Sequence, residues 1–282
     1  MNEPVIPGGG DGLVRVRLGI AYDGTNFSGW ASQPELRTVQ GELTAVLTRL
    51  LRRPVALTVA GRTDAGVHAT GQVAHFDVAT AAWMSIEATI VRRLARILPP
   101  DIQVSTATVA PDGFDARFSA LSRSYVYRIS DDDAGVEPRR RFDTVAWRRG
   151  LDVELMTLAA NMLLGEHDFA AYCRRREGAT TVRGLLQLDV VRVSNAIEFL
   201  VTADAFCHSM VRSLVGGLTA VGDHRRPVAW PAELLALSER ANDIGVAPAH
   251  GLTLVGVGYP PDGQLAAREA VTRKLRVLPS RD

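Results

Sequence analysis

The stretch Leu13-Val14-Arg15-Val16-Arg17-Leu18-Gly19-Ile20-Ala21 sets the fold. Val14, Val16, Leu18 and Ile20 recur at every second position, with Arg15 and Arg17 between them. Side chains alternate across a strand, so this spacing predicts a strand with one buried face. A Gly/Asp/Asn-rich loop follows over residues 22–30. Thr38 then caps a helix running to about residue 53, with Val39, Leu43, Val46, Leu47 and Leu50 on one face. Strands are predicted at 55–60 and 72–78, on either side of residues 61–69. Ser85 opens a second helix to about residue 98, ended by Pro99 and Pro100. Strands at 102–109 and 124–130 complete the series. The order strand, helix, strand, strand, helix, strand is the split βαβ pattern of a ferredoxin-like or RNA-recognition-type sheet.

The second half echoes these element types without a residue-level repeat. Residues 153–164 read as an amphipathic helix, 185–193 and 197–203 as a hairpin about Ser194-Asn195, 209–221 and 231–242 as helices, and 252–259 as a closing strand. The charged, turn-rich run 131–141 marks a linker. The expected fold class is therefore α+β: two ferredoxin-like halves with mainly antiparallel sheets and a central cleft. The boundaries expected are 12–130 for the first half, 131–150 for the linker and 151–262 for the second half. Residues 1–11 and 263–282 are expected as flexible tails.

Composition narrows the function classes. Hydrophobic residues at 46% and charged residues at 22% are globular values, which excludes disordered and fibrous chains. The 32 basic and 31 acidic residues leave a net charge of +1, against a small basic nucleic-acid module. Yet Lys274 is the only lysine, so 31 of the 32 basic residues are arginines. A GC-rich genome accounts for that bias; so does a need to grip phosphate bidentately and stack on bases, which arginine does better than lysine. Cys173 and Cys207 form no zinc spacing and no disulfide framework. No signal peptide and no apolar run of 18 residues is found, so a soluble cytoplasmic protein is expected.

The densest chemistry lies in Ala60-Gly61-Arg62-Thr63-Asp64-Ala65-Gly66-Val67-His68-Ala69, between two apolar strands. Within a few residues it carries a cation, a hydroxyl, a carboxylate and an imidazole. Read alone, it fits either a functional loop on a rigid scaffold or a plain hairpin in which Asp64 makes an Asx turn.

This segment resembles the signature loop of the tRNA pseudouridine synthase A family, G-R-T-D-x-G-V-H. Further blocks are similar to the same family in the same order: Tyr22-Asp23-Gly24-Thr25 with Gly29-Trp30; Thr38-Val39-Gln40; Phe114-Asp115-Ala116-Arg117-Phe118 leading into Arg123-Ser124-Tyr125-Val126-Tyr127; Gly165-Glu166-His167-Asp168-Phe169; Met210-Val211-Arg212 with Val215-Gly216; and Pro248-Ala249-His250-Gly251-Leu252. They run from about residue 14 to 260. The pattern departs at 93–99, which lacks the family's asparagine, and at Phe206-Cys207-His208-Ser209; both touch scaffold or RNA contacts.

The resemblance implies isomerisation of uridine to pseudouridine at positions 38, 39 and 40 of the tRNA anticodon stem-loop. Asp64 would be the nucleophile, acting at ribose C1′, at uracil C6 or by promoting elimination at the sugar. Arg212 would pair with it, and Tyr125 would stack on the base and take part in proton transfer. Arg62, Leu252 and His68 would complete the substrate pocket, with His68 also suited to fixing the loop by hydrogen bonding. No group enters or leaves overall, so no cofactor and no metal are implied. The expected partners are tRNA and a second copy of the chain, as a homodimer, with no membrane. Two other readings stand beside it: a non-catalytic RNA-binding protein or tRNA-folding chaperone on the same scaffold, and a metal-assisted hydrolase using Asp64, His68, His75 and Asp77. Arginine clusters at 49–53, 92–96, 139–141, 148–149, 174–176 and 225–226 are expected to form a basic stripe leading to Asp64, with salt-dependent RNA binding.

Overall fold

In the computed structural model, which describes residues 12–174 and 180–272, the alternating stretch forms strand β1 (Leu13–Tyr22). Val14, Val16, Leu18 and Ile20 are at most 1% exposed, as the alternation requires. Helix α1 (Val39–Leu51) starts on Thr38, whose hydroxyl accepts the Gly41 amide, and buries Val39, Leu43, Val46, Leu47 and Leu51. Strands β2 (Thr58–Val59) and β3 (His68–Ala79) follow, then α2 (Thr80–Met84), α3 (Ile90–Ile97) and β4 (Ile102–Val109). The helix expected over 85–98 is shorter, beginning only at Ile90, and a separate short helix precedes it at 80–84. The Ser85 hydroxyl closes α2 on the Ala82 carbonyl, and Ile86 turns inward before α3 begins. The strand order is β4-β1-β3-β2, with β3 antiparallel to β1 and to β2, and β4 antiparallel to β1. This is the split βαβ sheet expected from the sequence.

The remaining strands are β5 (Ser122–Ser130), β6 (Val145–Ala146), β7 (Gly165–Asp168), β8 (Val182–Val193), β9 (Ala196–Ala203) and β10 (Leu252–Gly258). Helices α4 (Val153–Asn161), α5 (Met210–Gly222) and α6 (Trp230–Glu233) accompany them, and α7 (Leu265–Thr272) comes last. Here the order is β10-β5-β9-β8-β7, with β8 and β9 forming the hairpin about Ser194-Asn195. Leaving out β6 and β7, each half runs fourth, first, third, second: the two halves share one topology although no residue repeat links them.

The division between the halves differs from the expected one. Among the described residues, one unit comprises 12–121 and 256–272, the other 122–174 and 180–255. Residues 122–130 therefore belong to the second unit, because β5 is the central strand pairing with β9. Nor is 131–150 a linker. β6 pairs in parallel with β5, the Trp147 amide reaches the Ser130 carbonyl, and Asp131 holds Arg192 through two hydrogen bonds of 2.7 and 2.9 Å. The helix expected over 231–242 stops early. After Ala236 the polar run 238–243 turns back, and the Ala241 amide bonds to the Ala171 carbonyl. The tail also departs from expectation where it is described. Leu265 of α7 is buried in a small core with Ala60, Val73, Ala110, Phe114 and Ala116. Residues 1–11 and 273–282 lie outside the described residues. The cysteines depart too: Cys173 and Cys207 are joined in a disulfide. No helix among the described residues is long and apolar enough to cross a membrane.

In the first unit the second face of the sheet is polar but filled. Arg15 grips Asp77 through two bonds of 2.7 and 2.8 Å and donates a third to the Phe114 carbonyl. Arg17 lies over the rings of Phe114 and Tyr259, 5.2 and 4.9 Å from their centroids. His75 is buried beside them, its Nδ1 accepting the Ala116 amide at 3.0 Å. Burial, and then the Arg15 charge, hold its pKa below the ordinary histidine value, outweighing Asp115, Asp77 and Glu269, which raise it. An unfolded chain therefore takes up this proton first as pH falls, so His75 contributes stability above about pH 6.5 that is lost progressively below it. The thermal midpoint of His75→Gln, whose side-chain oxygen can accept the same amide, should fall less between pH 7 and 5.5 than that of the parent. Equal slopes in parallel melts would assign the acid sensitivity elsewhere.

Candidate active site

The loop between β2 and β3 is held at both ends and in its middle. Its entry is fixed where the Ala60 amide meets the Val73 carbonyl and the Gln72 amide nitrogen donates to the Gly61 carbonyl at 2.8 Å. Further on, the Thr63 hydroxyl lies 2.7 Å from the Tyr22 phenol, which also accepts from Gln72 at 3.4 Å. Tyr22 is buried at the end of β1, and burial pushes its pKa up to about 12, so the phenol stays protonated as a partner for Thr63. The Thr63 carbonyl accepts the Trp30 amide, the Gly66 amide reaches the Phe27 carbonyl, and the Val67 amide closes a turn on the Asp64 carbonyl. Gly29 has φ +91°, and a Cβ there would stand 2.8 Å from the Thr63 carbonyl oxygen. A side chain at that position would displace the strand of backbone that presents Asp64.

Six sequence-nominated residues fall three in each unit. Asp64, Arg62 and His68 share the loop: Arg62 is exposed, Asp64 half-buried and His68 buried. The His68 Nδ1 accepts the Gly24 amide at 3.0 Å, 3.1 Å from an Asp23 carboxylate oxygen. An acceptor Nδ1 places the ring proton on Nε2 in the neutral tautomer, so His68 ties the loop to residues 23–24.

Tyr125, Arg212 and Leu252 lie in the second unit. Tyr125 stands on β5 with its ring edge-on to Phe206, 5.2 Å between centroids. Arg212, on the first turn of α5, donates from Nε to the Ala247 carbonyl at 2.6 Å, while the Ala247 amide bonds back to the Arg212 carbonyl. The next residues complete the same corner. Tyr127 donates to the Pro248 carbonyl at 2.8 Å, and a Cβ on Gly251 would strike its ring. Burial raises the Tyr127 pKa, and the Arg212 charge opposes that rise. Leu252 opens β10 immediately after, 6% exposed. The segment 247–252 therefore brings Arg212, Tyr127 and Leu252 to one corner of the unit.

Four supporting residues were not nominated from the sequence: Tyr22, Gln72, Phe206 and Tyr127. Tyr22 continues the inward series 14, 16, 18, 20, and Gln72 is a polar residue at a fully buried strand position; those were the readable signals. The metal-hydrolase set is occupied otherwise. Asp77 is engaged by Arg15, the His75 Nδ1 by Ala116 and the His68 Nδ1 by Gly24. Among the described residues no group of three or more His, Cys, Asp or Glu side chains is placed to hold a metal ion.

The sequence as a whole is similar to known proteins. The family model described as tRNA pseudouridine synthase matches residues 19–119 and 159–260. A tRNA pseudouridine synthase A of Frankia casuarinae is 58% identical over 272 residues, covering 96% of this chain and 98% of its own. Those of Streptomyces griseus subsp. griseus and Mycobacterium leprae are 53% and 51% identical, covering 95% and 93% of this chain and 96% of each of theirs.

Proposed function

Because the chain belongs to the tRNA pseudouridine synthase family, we propose that it isomerises uridine to pseudouridine in tRNA, at positions 38, 39 and 40 of the anticodon stem-loop, with Asp64 as nucleophile. The observation that carries the reading is the anchored loop. Thr63 and Gly66, on either side of Asp64, are tied by main-chain bonds to Trp30 and Phe27, so a half-buried carboxylate is presented in a fixed place. A carboxylate held in a fixed place serves chemistry, whereas a negative charge adds nothing to adhesion to an RNA backbone.

The reaction breaks the bond between uracil N1 and ribose C1′, turns the base, and joins C5 to C1′. The C5 proton leaves and N1 gains one, so atoms balance without a redox or metal partner. A carboxylate nucleophile divides the exchange into two easier steps. In this reading Arg212, braced through Nε on Ala247, supplies the cation for the Asp64 carboxylate. Tyr125, steadied by Phe206, stacks on the extruded uracil, with its hydroxyl near the migrating proton. Leu252 forms an apolar wall, while Arg62 and His68 flank the nucleophile. Extruding the base costs a few kcal/mol, which these contacts return. The protein works as a homodimer in the cytoplasm, where tRNA is found.

The test is direct. Purified protein incubated with an unmodified tRNA transcript bearing uridine at 38–40 should form pseudouridine there, and tRNA from cells lacking the gene should have lost it. Unchanged modification in those cells together with no activity in the tube would overturn the assignment.

A further inference from the structure

In the second unit three clustered arginines meet aspartates, Arg140 with Asp143, Arg225 with Asp223 and Arg226 with Asp243, while Arg139, Arg141, Arg148 and Arg149 are exposed and in no ion pair among the described residues. The first unit holds a denser group. Residues 43–57 and 88–100 hold six arginines and no Asp or Glu, although 31 acids in 282 residues would place about three among these 28. Arg49, Arg52, Arg53, Arg92, Arg93 and Arg96 are all exposed, and among the described residues none is paired with a carboxylate. They sit on α3 and on the last turn and C-terminal cap of α1, and the two helices pack side by side.

The topology also fixes where they sit. α1 begins against the Asp64 loop, its first amides bonding to Gly29 and Trp30, and runs 13 residues away from it. At 1.5 Å per residue its C-terminal arginines lie about 20 Å from the loop. α3 runs back the opposite way. Its end is at the loop side, where Asp101 meets Arg37 and the Asp23 amide, so Arg92 and Arg93 in its first turn lie at the far end. The stripe expected to lead to Asp64 is therefore not built by these helices. Arg49, Arg52, Arg53, Arg92 and Arg93 gather at the opposite end of the helical layer, and Arg96, in the last turn of α3, lies toward the loop side.

Helix stability explains four of the six. Arg49, Arg52 and Arg53 complement the negative end of α1 and Arg96 that of α3, but Arg92 and Arg93 sit at the positive end of α3, where cations are disfavoured. α3 has no acidic residue in its first turn, and Thr89 makes no capping hydrogen bond from its side chain. Glu87 stands in the turn just before α3, but the first turn itself keeps two arginines and no carboxylate, an arrangement suited to an external anion.

We propose that the far end of the α1–α3 layer is a second RNA-binding surface, holding the phosphate backbone of tRNA about 20 Å from the reacting uridine. The occupant is RNA because guanidinium forks match phosphate and because the proposed substrate is RNA; the inference rests on that reading. Its test is the variant R49Q/R53Q/R92Q/R93Q, assayed with full-length tRNA and with an isolated anticodon stem-loop across a salt series. On full-length tRNA, KM and Kd should rise tenfold or more with kcat unchanged. The slope of log K against log salt should flatten by about 0.9 for each phosphate the variant no longer neutralises. Stem-loop kinetics should not change, and the thermal midpoint should hold or rise. Unaltered affinity and salt slope on full-length tRNA would overturn the surface while leaving the activity standing. Equal weakening on both substrates would also overturn it, by placing the arginines in the stem-loop site. A parent enzyme that forms no pseudouridine on either substrate would fail the functional reading itself.

Discussion

Asp64→Asn should lose pseudouridine formation by at least about 10⁴-fold while binding tRNA within about twofold of the parent. Removing a nucleophile eliminates the covalent route, and such losses typically reach 10⁴ to 10⁶ in kcat. The substitution is clean because the turn is built from main-chain bonds. The Asp64 carbonyl accepts the Val67 amide, and Thr63 and Gly66 are anchored to Trp30 and Phe27. Asparagine keeps those bonds and the side-chain volume and removes the charge. Rate under saturating tRNA, paired with filter binding, separates the two outcomes. A variant that keeps substantial activity would remove Asp64 from the mechanism; one that binds and does nothing would eliminate the chaperone reading for the parent.

Arg212→Lys should lower kcat by about 10² to 10³ and leave KM within a few-fold. That is the usual loss when one preorganised electrostatic partner is removed from a closed site. Lysine keeps the charge, so the prediction turns on geometry. The guanidinium donates from Nε to the Ala247 carbonyl at 2.6 Å, so one of its three nitrogens is committed to bracing. A lysine ammonium has one nitrogen and cannot brace on Ala247 and reach a carboxylate at once. Lysine at full parental rate in single-turnover assays would show that charge alone suffices and that the brace has no catalytic role.

Much of the fold was legible in local spacing. The strand expected at 102–109 is β4, residue for residue, and the hairpin about Ser194-Asn195 is β8–β9. Thr38 caps α1 as its residue type suggests. Each of these signals lies within a few residues of the feature it specifies. The loop 60–69 stood out for the same reason, because its unusual side chains are adjacent in sequence.

The failures share the opposite cause. Leu265 lacks a long amphipathic pattern, yet α7 is ordered because Phe114 and Ala116, some 150 residues earlier, give it a core to cover. The boundary between units falls at Leu121 and Val255 because β5 pairs with β9 and not with the preceding β4. The arginine clusters looked alike along the chain. Only folding showed that those at 140, 225 and 226 meet aspartates while those of α1 and α3 do not.

Sequence by itself thus determined the element types, the repeated α+β topology and the identity of the chemical loop. Those depend on periodicity, capping and turn residues, all short-range. Tertiary structure alone decided what holds Asp64 in place, where each unit ends and which charges remain unpaired. Each of those is a relation between residues far apart in the chain, with Tyr22 beside Thr63 and Gln72 as the plainest case, and only packing brings them into contact.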